Sequence, residues 1–395
     1  MKRFLTFFSK SKNKLSLNQP LLHMVDAEQT GGDTAPETTL NIHAPNSRKN
    51  FKAGIITPLM KRRWAIFKSN KRGFYSAIIL TAILFLSLLA PILANDNPLL
   101  LSYKGRWFFP LVEKIPDSFF AGNLPTETEY LDPFTQNEIN SYGWMIMPPV
   151  PYRYDSVDYF STDTFPAPPS FKHLLGTDDQ GRDVLARLIY AIRLALVFGI
   201  ALTFFSALIG IFVGALQGYF GGKTDLFIGR FLEIWGSLPQ LFILIIISSI
   251  IAPSFLSILL ILLLFSWTSL TGVVRAEFLK TRNLDYVKSA RGLGVPDFQI
   301  MLKHILPNAL VATITYVPFM LAGAIVSLSA LDFLGLGLPA GTPSLGELIR
   351  QGKENLNAPW LGLTAFFTMT FILSLLIFVG EAVRDAFDPH KKEGA

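Results

Sequence analysis

Six stretches too apolar to sit in water constrain this chain more than any other feature. Residues 74–94, "FYSAIILTAILFLSLLAPILA", run 21 residues without a charge. Residues 194–216 and 309–331 are uncharged over 23 residues, and 254–274 and 360–380 over 21. The sixth run, about 226–252, carries Arg230 and Glu233 near its start and is apolar afterwards. About 20 apolar residues span a bilayer as a helix, and backbone groups in lipid are satisfied only within helices or closed barrels. The expectation is an all-α polytopic membrane protein with six transmembrane helices. Composition agrees: 16% of the 395 residues are charged, where a soluble chain carries about 25%.

Charge fixes the direction of threading. Residues 1–73 hold fourteen Lys/Arg against four Asp/Glu, and the cluster "KRRWAIFKSNKR" abuts the first apolar run. Basic residues stay on the cytoplasmic side, so the N-terminus is expected inside, with 95–193 outside, 275–308 inside, 332–359 outside and the C-terminal tail inside. The inner loop 275–308 carries six Lys/Arg and the outer loop 332–359 only two. The net charge of +6 thus reads as topology signalling, and no nucleic-acid partner is expected.

These assignments divide the chain. Residues 1–60 read as a largely disordered cytoplasmic arm, 61–94 as a basic anchor and first span, and 390–395 as a cytoplasmic tail. "FLTFF" is too short for a signal-peptide core. Residues 95–193 carry thirteen acids against eight bases, with Pro- and aromatic-rich segments such as "PPVPYRYDSVDYFSTDTFPAPPS". They read as an exterior domain of short strands and loops, a mixed insertion between the first two spans with a helix near its end. It could bind substrate or partner, or cap the outer face. Residues 194–389 form a five-span core around the loop 275–308.

That loop is patterned. Phe298, Met301, Leu302, Ile305 and Leu306 follow i, i+3, i+4, i+7, i+8 spacing, and Leu284, Val287, Ala290 and Leu293 a shorter stripe. Gly294 sits where a first helix would take its C-cap, Pro296 can open a second helix, and Pro307 would end it. A basic helix–turn–helix on the inner side could lie on anionic lipid, cap the bundle, or dock a cytoplasmic partner.

Catalytic patterns fail in turn. "GGKT" at 221–224 ends like a phosphate-binding loop, but Gln217 stands where the first glycine belongs, and membrane runs flank it. Lys223 fits a positive inner turn, and Thr224 or Asp225 could cap the next helix. None of His23, His43, His173, His304 and His390 lies in H-E-x-x-H spacing, and no serine lies in G-x-S-x-G. There is no cysteine, hence no disulfide, thiolate metal site or thiol nucleophile. Ion-coupled transport normally places ionisable groups in mid-membrane; here Arg230 and Glu233 are the candidates, and their spacing suits a mutual pair near the inner end.

The pattern Ala290, Gly294, then Leu306-Pro307 resembles the "EAA" loop of permease subunits in ABC importers. Lys288 stands where that pattern has an acid, and His304 where isoleucine is common. "KHILPN" (303–308), "HLLGTDDQGRDVLARLIYAIRLAL" (173–196) and "LDFLGLGLPAGTPSLGELI" (331–349) are similar to the dipeptide and oligopeptide branch. The long insertion and "GEAVRDAFDP" most resemble permeases of the microcin C/peptide type. The resemblance runs from about residue 61 to 389.

The resemblance implies a non-enzymatic permease subunit of an ATP-driven peptide importer in a bacterial inner membrane. It implies partner ATPase subunits that bind ATP and Mg, leaving this chain without a cofactor. A second, homologous permease and a periplasmic peptide-binding protein are the other implied partners. The coupling residues it implies are Lys288, Ser289, Ala290, Gly294, His304, Leu306, Pro307 and Asn308. For the translocation path, the polar groups of the fifth span are the candidates: Thr313, Thr315, Tyr316, Ser327 and Ser329, although such residues also join membrane helices to each other. An ion-coupled transporter or a membrane-anchored scaffold is the alternative.

Overall fold

The computed structural model describes residues 58–120, 126–159 and 164–388; the arm before Pro58 and the tail after Asp388 lie outside them. The basic helix α1 (Pro58–Ser69) leads into α2 (Lys71–Leu88), the first membrane run. Asn70 caps α2 by accepting the Gly73 N–H at 3.2 Å, which satisfies one of the donors a helix start leaves free.

The insertion folds around a small antiparallel sheet. Strand β1 (Leu100–Tyr103) lies between β2 (Arg106–Phe108) and, after helix α3 (Pro133–Tyr142), β3 (Gly143–Ile146). Leu101 pairs with Phe108 on one side and Met145 on the other. Side chains alternate across a strand, so Leu101 and Tyr103 turn together into a core with Phe120, Tyr130 and Ile139.

The second run lies within one long helix, α4 (Val184–Phe220). At 37 residues and 1.5 Å per residue it reaches about 55 Å, well beyond a hydrocarbon core of about 30 Å. The expected boundary at 193/194 therefore falls mid-helix. Asp183 caps α4 by accepting the Ala186 N–H at 2.7 Å.

The next two runs are not single helices. The third is α5 (Gly222–Ser237) and α6 (Gln240–Ile250), bent by 74°. Pro239 offers no N–H, and Leu238 before it is extended at ψ 132°, as a residue preceding proline prefers. The fourth is α7 (Phe255–Ser266) and α8 (Thr268–Thr281), bent by 41° at Trp267. No proline is present there. Ser266 donates to the Leu262 carbonyl at 2.7 Å, Thr268 to Phe265 at 2.7 Å and Thr271 to Trp267 at 3.1 Å, and such back-bonding bends helices. Helix α8 also runs to Thr281, so the polar loop starts later than residue 275. Lys223 and Thr224 lie in the first turn of α5, after a helix and not a strand. Neither Thr224 nor Asp225 caps α5; Asp225 instead pairs with Arg275 on α8 at 2.5 and 2.7 Å.

Beyond the short α9 (Asp285–Gly292) come α10 (Leu306–Phe333), α11 (Leu345–Glu354) and α12 (Pro359–Phe387). Among the described residues four unbroken helices are long and apolar enough to cross a membrane, and the bent pairs, each taken as one span, bring the total to six. The fold is thus an all-α polytopic membrane bundle with a mixed insertion after its first span.

Helix α4 is its axle, and a stripe of glycines brings α8 against it. A Cβ on Gly210, Gly214 or Gly218 would lie 2.9, 2.7 or 2.6 Å from the carbonyl oxygens of Trp267, Thr271 and Arg275. Small residues every fourth position let membrane helices approach at backbone distance.

Candidate functional site

At the end of the bundle opposite the insertion, α9 stands between two membrane helices. Its C-terminus closes as a Schellman motif: Val295 N–H bonds the Ala290 carbonyl at 3.1 Å and Gly294 N–H the Arg291 carbonyl at 3.0 Å. Gly294 sits at φ +79° with open space around its missing side chain. The need for glycine there is one of backbone conformation alone.

The two expected stripes are only partly realised. Val287 and Ala290 are buried against Phe278, Ile300 and Ile305, while Leu284 and Leu293 face out. In the second stripe Ile305 is buried, Met301 and Leu306 are half-buried, and Phe298 and Leu302 are exposed. The reason is a π turn over Ile300–Ile305, where Leu306 N–H bonds the Met301 carbonyl five residues back. Widening the turn resets the helical period. It also carries the chain past Pro307, which does not end a helix but opens α10.

The expected coupling residues therefore spread over one surface. Lys288 is exposed, 3.5 Å from Asp285. Ser289 is exposed and donates to the Asp285 carbonyl at 2.8 Å, and Ala290 is buried beneath it. Asn308 donates to the Tyr286 hydroxyl at 3.0 Å, which donates to the His304 carbonyl at 3.2 Å. Leu293 and Phe298 project outward at 84% and 72% exposure.

A chain of polar contacts ties this surface to α4. The Tyr219 hydroxyl, near the end of α4, hydrogen-bonds the Asp297 carboxylate and accepts from Arg291 at 3.1 Å. Arg282 donates to the Gly218 and Tyr219 carbonyls at 3.1 and 3.0 Å, closing the free carbonyls of the α4 terminus. Arg291 and Tyr219 thus connect α9 to α4.

Within the membrane region a cavity of about 360 Å³ opens where both bent pairs break. Of the expected path residues, Tyr316 and Ser327 line it; Thr313, Thr315 and Ser329 do not. Thr313 and Thr315 bond carbonyls of their own helix at 3.1 and 2.8 Å. Ser329 lies under α11, its carbonyl occupying the space a Cβ on Gly346 would need. Thr203, Ser206, Gln240, Ser266 and Ser269 also line the cavity, with no charged side chain. The Thr203 and Ser206 hydroxyls are buried without a hydrogen-bond partner. The signal for these residues was legible: hydroxyls inside charge-free runs, beside Pro239 and the cluster "SWTSLT". Arg230 and Glu233 sit apart, paired at 2.7 Å and largely exposed.

The insertion end is held differently. His173 lies between Asp183 at 2.8 Å and Asp158 at 3.2 Å, with Tyr152 tilted over it at 4.6 Å. Burial pulls its pKa down, but hydrogen bonds that the ring N–H groups donate to Asp183 and Asp158, with the charges of both carboxylates, outweigh that and raise it above the ordinary imidazole value. Asp178 holds Arg182 at 2.6 Å and the wholly buried Arg187 at 3.4 Å. Arg187 donates on to the Tyr154 and Gly341 carbonyls at 3.2 and 3.4 Å, joining insertion, α4 and the 334–344 loop.

A membrane bundle with a charge-free polar cavity at its helix breaks, and an exposed helix tied to its axle, is the build of a transport component. Residues 207–393 match the family described as "binding-protein-dependent transport system inner membrane component". The inner membrane ABC transporter permease protein YejE of Escherichia coli K12 is 50% identical over 336 residues, covering 85% of this chain and 98% of that one. The peptidoglycan transport system permease protein YejE of Agrobacterium fabrum is 51% identical over 360 residues, 85% of this chain and 94% of that one. The oligopeptide transport system permease protein OppC of Haemophilus influenzae is 36% identical over 240 residues, 60% and 77% of the two chains. The chain belongs to this family of inner-membrane permease components of binding-protein-dependent transport systems. As such it works in a membrane with ATPase and binding-protein partners.

Proposed function

We propose that this chain is one of two homologous permease subunits of an ATP-driven importer of peptides, of the oligopeptide or microcin C-like class. Both termini lie in the cytoplasm, and the insertion faces the periplasm. ATP and Mg are bound by separate ATPase subunits, and this chain holds no cofactor of its own. A periplasmic peptide-binding protein delivers the peptide to the insertion and the 332–359 loop. The peptide passes the hydroxyl-lined cavity, where neutral hydrogen-bonding groups suit a peptide backbone of any side-chain charge. Because one chain walls the cavity on one side, the second permease completes it.

The observation that carries this reading is the surface built on α9. Lys288, Ser289, Leu293 and Phe298 are presented outward, Gly294 fixes the turn, and Arg291 and Tyr219 link it to α4. An ATPase cleft that grips this helix and closes on ATP moves α4 and, through its glycine contacts, α8. His304, Leu306, Pro307 and Asn308 hold the returning segment at the foot of α10. The names of relatives as oligopeptide and peptidoglycan transport permeases support a substrate with peptide bonds.

Reconstitution into vesicles with the partner subunits tests the proposal. ATP-driven uptake of a labelled oligopeptide is expected, with no ATP hydrolysis by this chain alone. Uptake driven by a proton gradient without ATP would overturn it.

A further inference from the structure

The insertion carries two cavities that the transport reading does not use. One, about 820 Å³, lies inside the insertion, against Tyr130, Tyr152 and Met145. The other, about 830 Å³, lies where the insertion meets α2, α4 and α7, against Leu88, Leu194 and Phe255. Asn97, Glu127 and Arg153 line both, so the two share a wall. Each is of a size that holds a small ligand, about 300–1,000 Å³.

Their charges are opposite. The first cavity is lined by Asp96, Glu127, Glu129, Asp155 and Asp158 against Arg153 and Lys172. The second is lined by Lys114, Arg153 and Arg193 against Glu127 alone. Internal pairs cancel much of this: Lys172 with Asp158 at 2.5 Å, Arg153 with Asp155 at 3.1 Å and Lys114 with Glu127 at 3.0 Å. At one end there remain Asp96, which accepts from the Ser156 hydroxyl at 2.7 Å and lies within the field of Arg153, and Glu129. At the other end stands Arg193, half-buried, with no hydrogen bond or ion pair among the described residues. Tyr130, 3% exposed, lines the acidic cavity with its ring, its hydroxyl buried beside the Thr128 side chain. Thr128, next but one to Tyr130, gives its own hydrogen to the Ile115 carbonyl at 2.8 Å.

We propose that the two cavities form one receiving groove for a zwitterionic oligopeptide, its ammonium at Asp96 and Glu129 and its carboxylate on Arg193. A guanidinium matches a carboxylate with two parallel hydrogen bonds, and Asn97 at the junction offers both donor and acceptor to a peptide unit. Tyr130, Tyr152 and Met145 give apolar wall for side chains of varied shape. The inference rests on the peptide reading and gives the insertion a role within it: the groove takes the peptide from the binding protein and aligns it along the outer part of α4.

The test uses the complete transporter in vesicles with its binding protein and ATP. The probes are trialanine, its C-terminal amide and its N-acetyl derivative. In the unaltered protein, uptake of trialanine is expected to exceed that of the amide by about tenfold or more, the worth of a charged hydrogen bond. Arg193→Gln is expected to cut that ratio by about tenfold, with Arg193→Lys keeping part of it. Asp96→Asn with Glu129→Gln is expected to lower discrimination against the N-acetyl form and leave the amide ratio unchanged. The binding protein is the same throughout, so any change in ratio belongs to the permease, and ATP hydrolysis stimulated by the binding protein checks assembly of each variant. An unchanged amide ratio in an assembled Arg193→Gln transporter would overturn the groove. Failure of the unaltered protein to import any of the three peptides would instead overturn the peptide reading beneath it.

Discussion

The two ends of the bundle are tied together by different kinds of contact. At the insertion end the ties are buried: Arg187 and Asp178 have no exposure, and His173, Asp158 and Asp183 are nearly as enclosed. Removing one member of such a set strands a charge in a low-dielectric setting. At the opposite end Val287 and Ala290 seat α9 on the bundle, but most of its polar ties run over the surface. The Asn308–Tyr286–His304 contacts and the Lys288–Asp285 pair are exposed, and such contacts are worth little individually. Buried pairs resist separation and exposed ones exchange readily with water, so the polar contacts of the insertion end are the harder to part and those around α9 the easier.

The sharpest way to break that contrast is to remove the axle joining the ends. Gly218→Leu would drive a side chain into Phe278 and the Arg275 carbonyl, against contacts already at 2.5 and 2.6 Å for a bare Cβ. The expected cost is about 3 kcal/mol, the upper part of the range for overpacking, and would be read as a lower unfolding temperature and loss of assembled protein.

A change confined to α9 should spare the fold and still stop transport. Gly294→Val forces a β-branched residue into the left-handed region at a cost of about 1–2 kcal/mol. Uptake is expected to fall at least about tenfold with membrane insertion unchanged. Gly294→Asn, which tolerates that conformation, should restore much of it. Equal loss in both variants would mean that the turn matters for something other than its backbone shape.

Tyr219→Phe tests the link from α9 to α4 alone. Loss of the hydroxyl that serves Asp297 and Arg291 should cost about 1–2 kcal/mol. It should raise ATP hydrolysis not matched by uptake, since the helix would still be gripped but would pull less on α4.

The smallest expected effect lies at the insertion end and depends on pH. His173 titrates higher in the folded chain than a free imidazole does. Its bound proton therefore stabilises the insertion end fully below about pH 6.5, and that contribution is lost as pH rises through the raised value. Unfolding temperature should decline over that interval, and His173→Gln should flatten the decline.

The sequence made the spans legible because lipid demands long apolar runs, and the run lengths record it directly. The breaks within them were harder to see. Pro239 marks the first plainly, but the second depends on serine and threonine side chains folding back onto carbonyls around Trp267, which composition alone does not reveal. The amphipathic stripe from Phe298 to Leu306 misled for a definite reason: it assumes 3.6 residues per turn, and the π turn widens the spacing ahead of Pro307. Gly294 was readable because a C-cap glycine has a local cause. Which hydroxyls of α10 line the cavity was only partly readable, since the side of a membrane helix facing a cavity depends on its neighbours. Thr203 and Gln240 face the same space as Tyr316 from elsewhere in the chain. The repeat Gly210, Gly214, Gly218 was open to view as small residues at fourth positions, and it marks the contact of α4 with α8.

Because the chain contains no cysteine, a single one at position 289 gives an unambiguous report on α9. In the assembled transporter, Ser289→Cys carrying a short cross-linker should attach to the partner ATPase, with a yield that changes between the ATP-bound and nucleotide-free states. Attachment to lipid alone, or a yield indifferent to ATP, would contradict the claim that this helix carries the ATPase movement into the membrane.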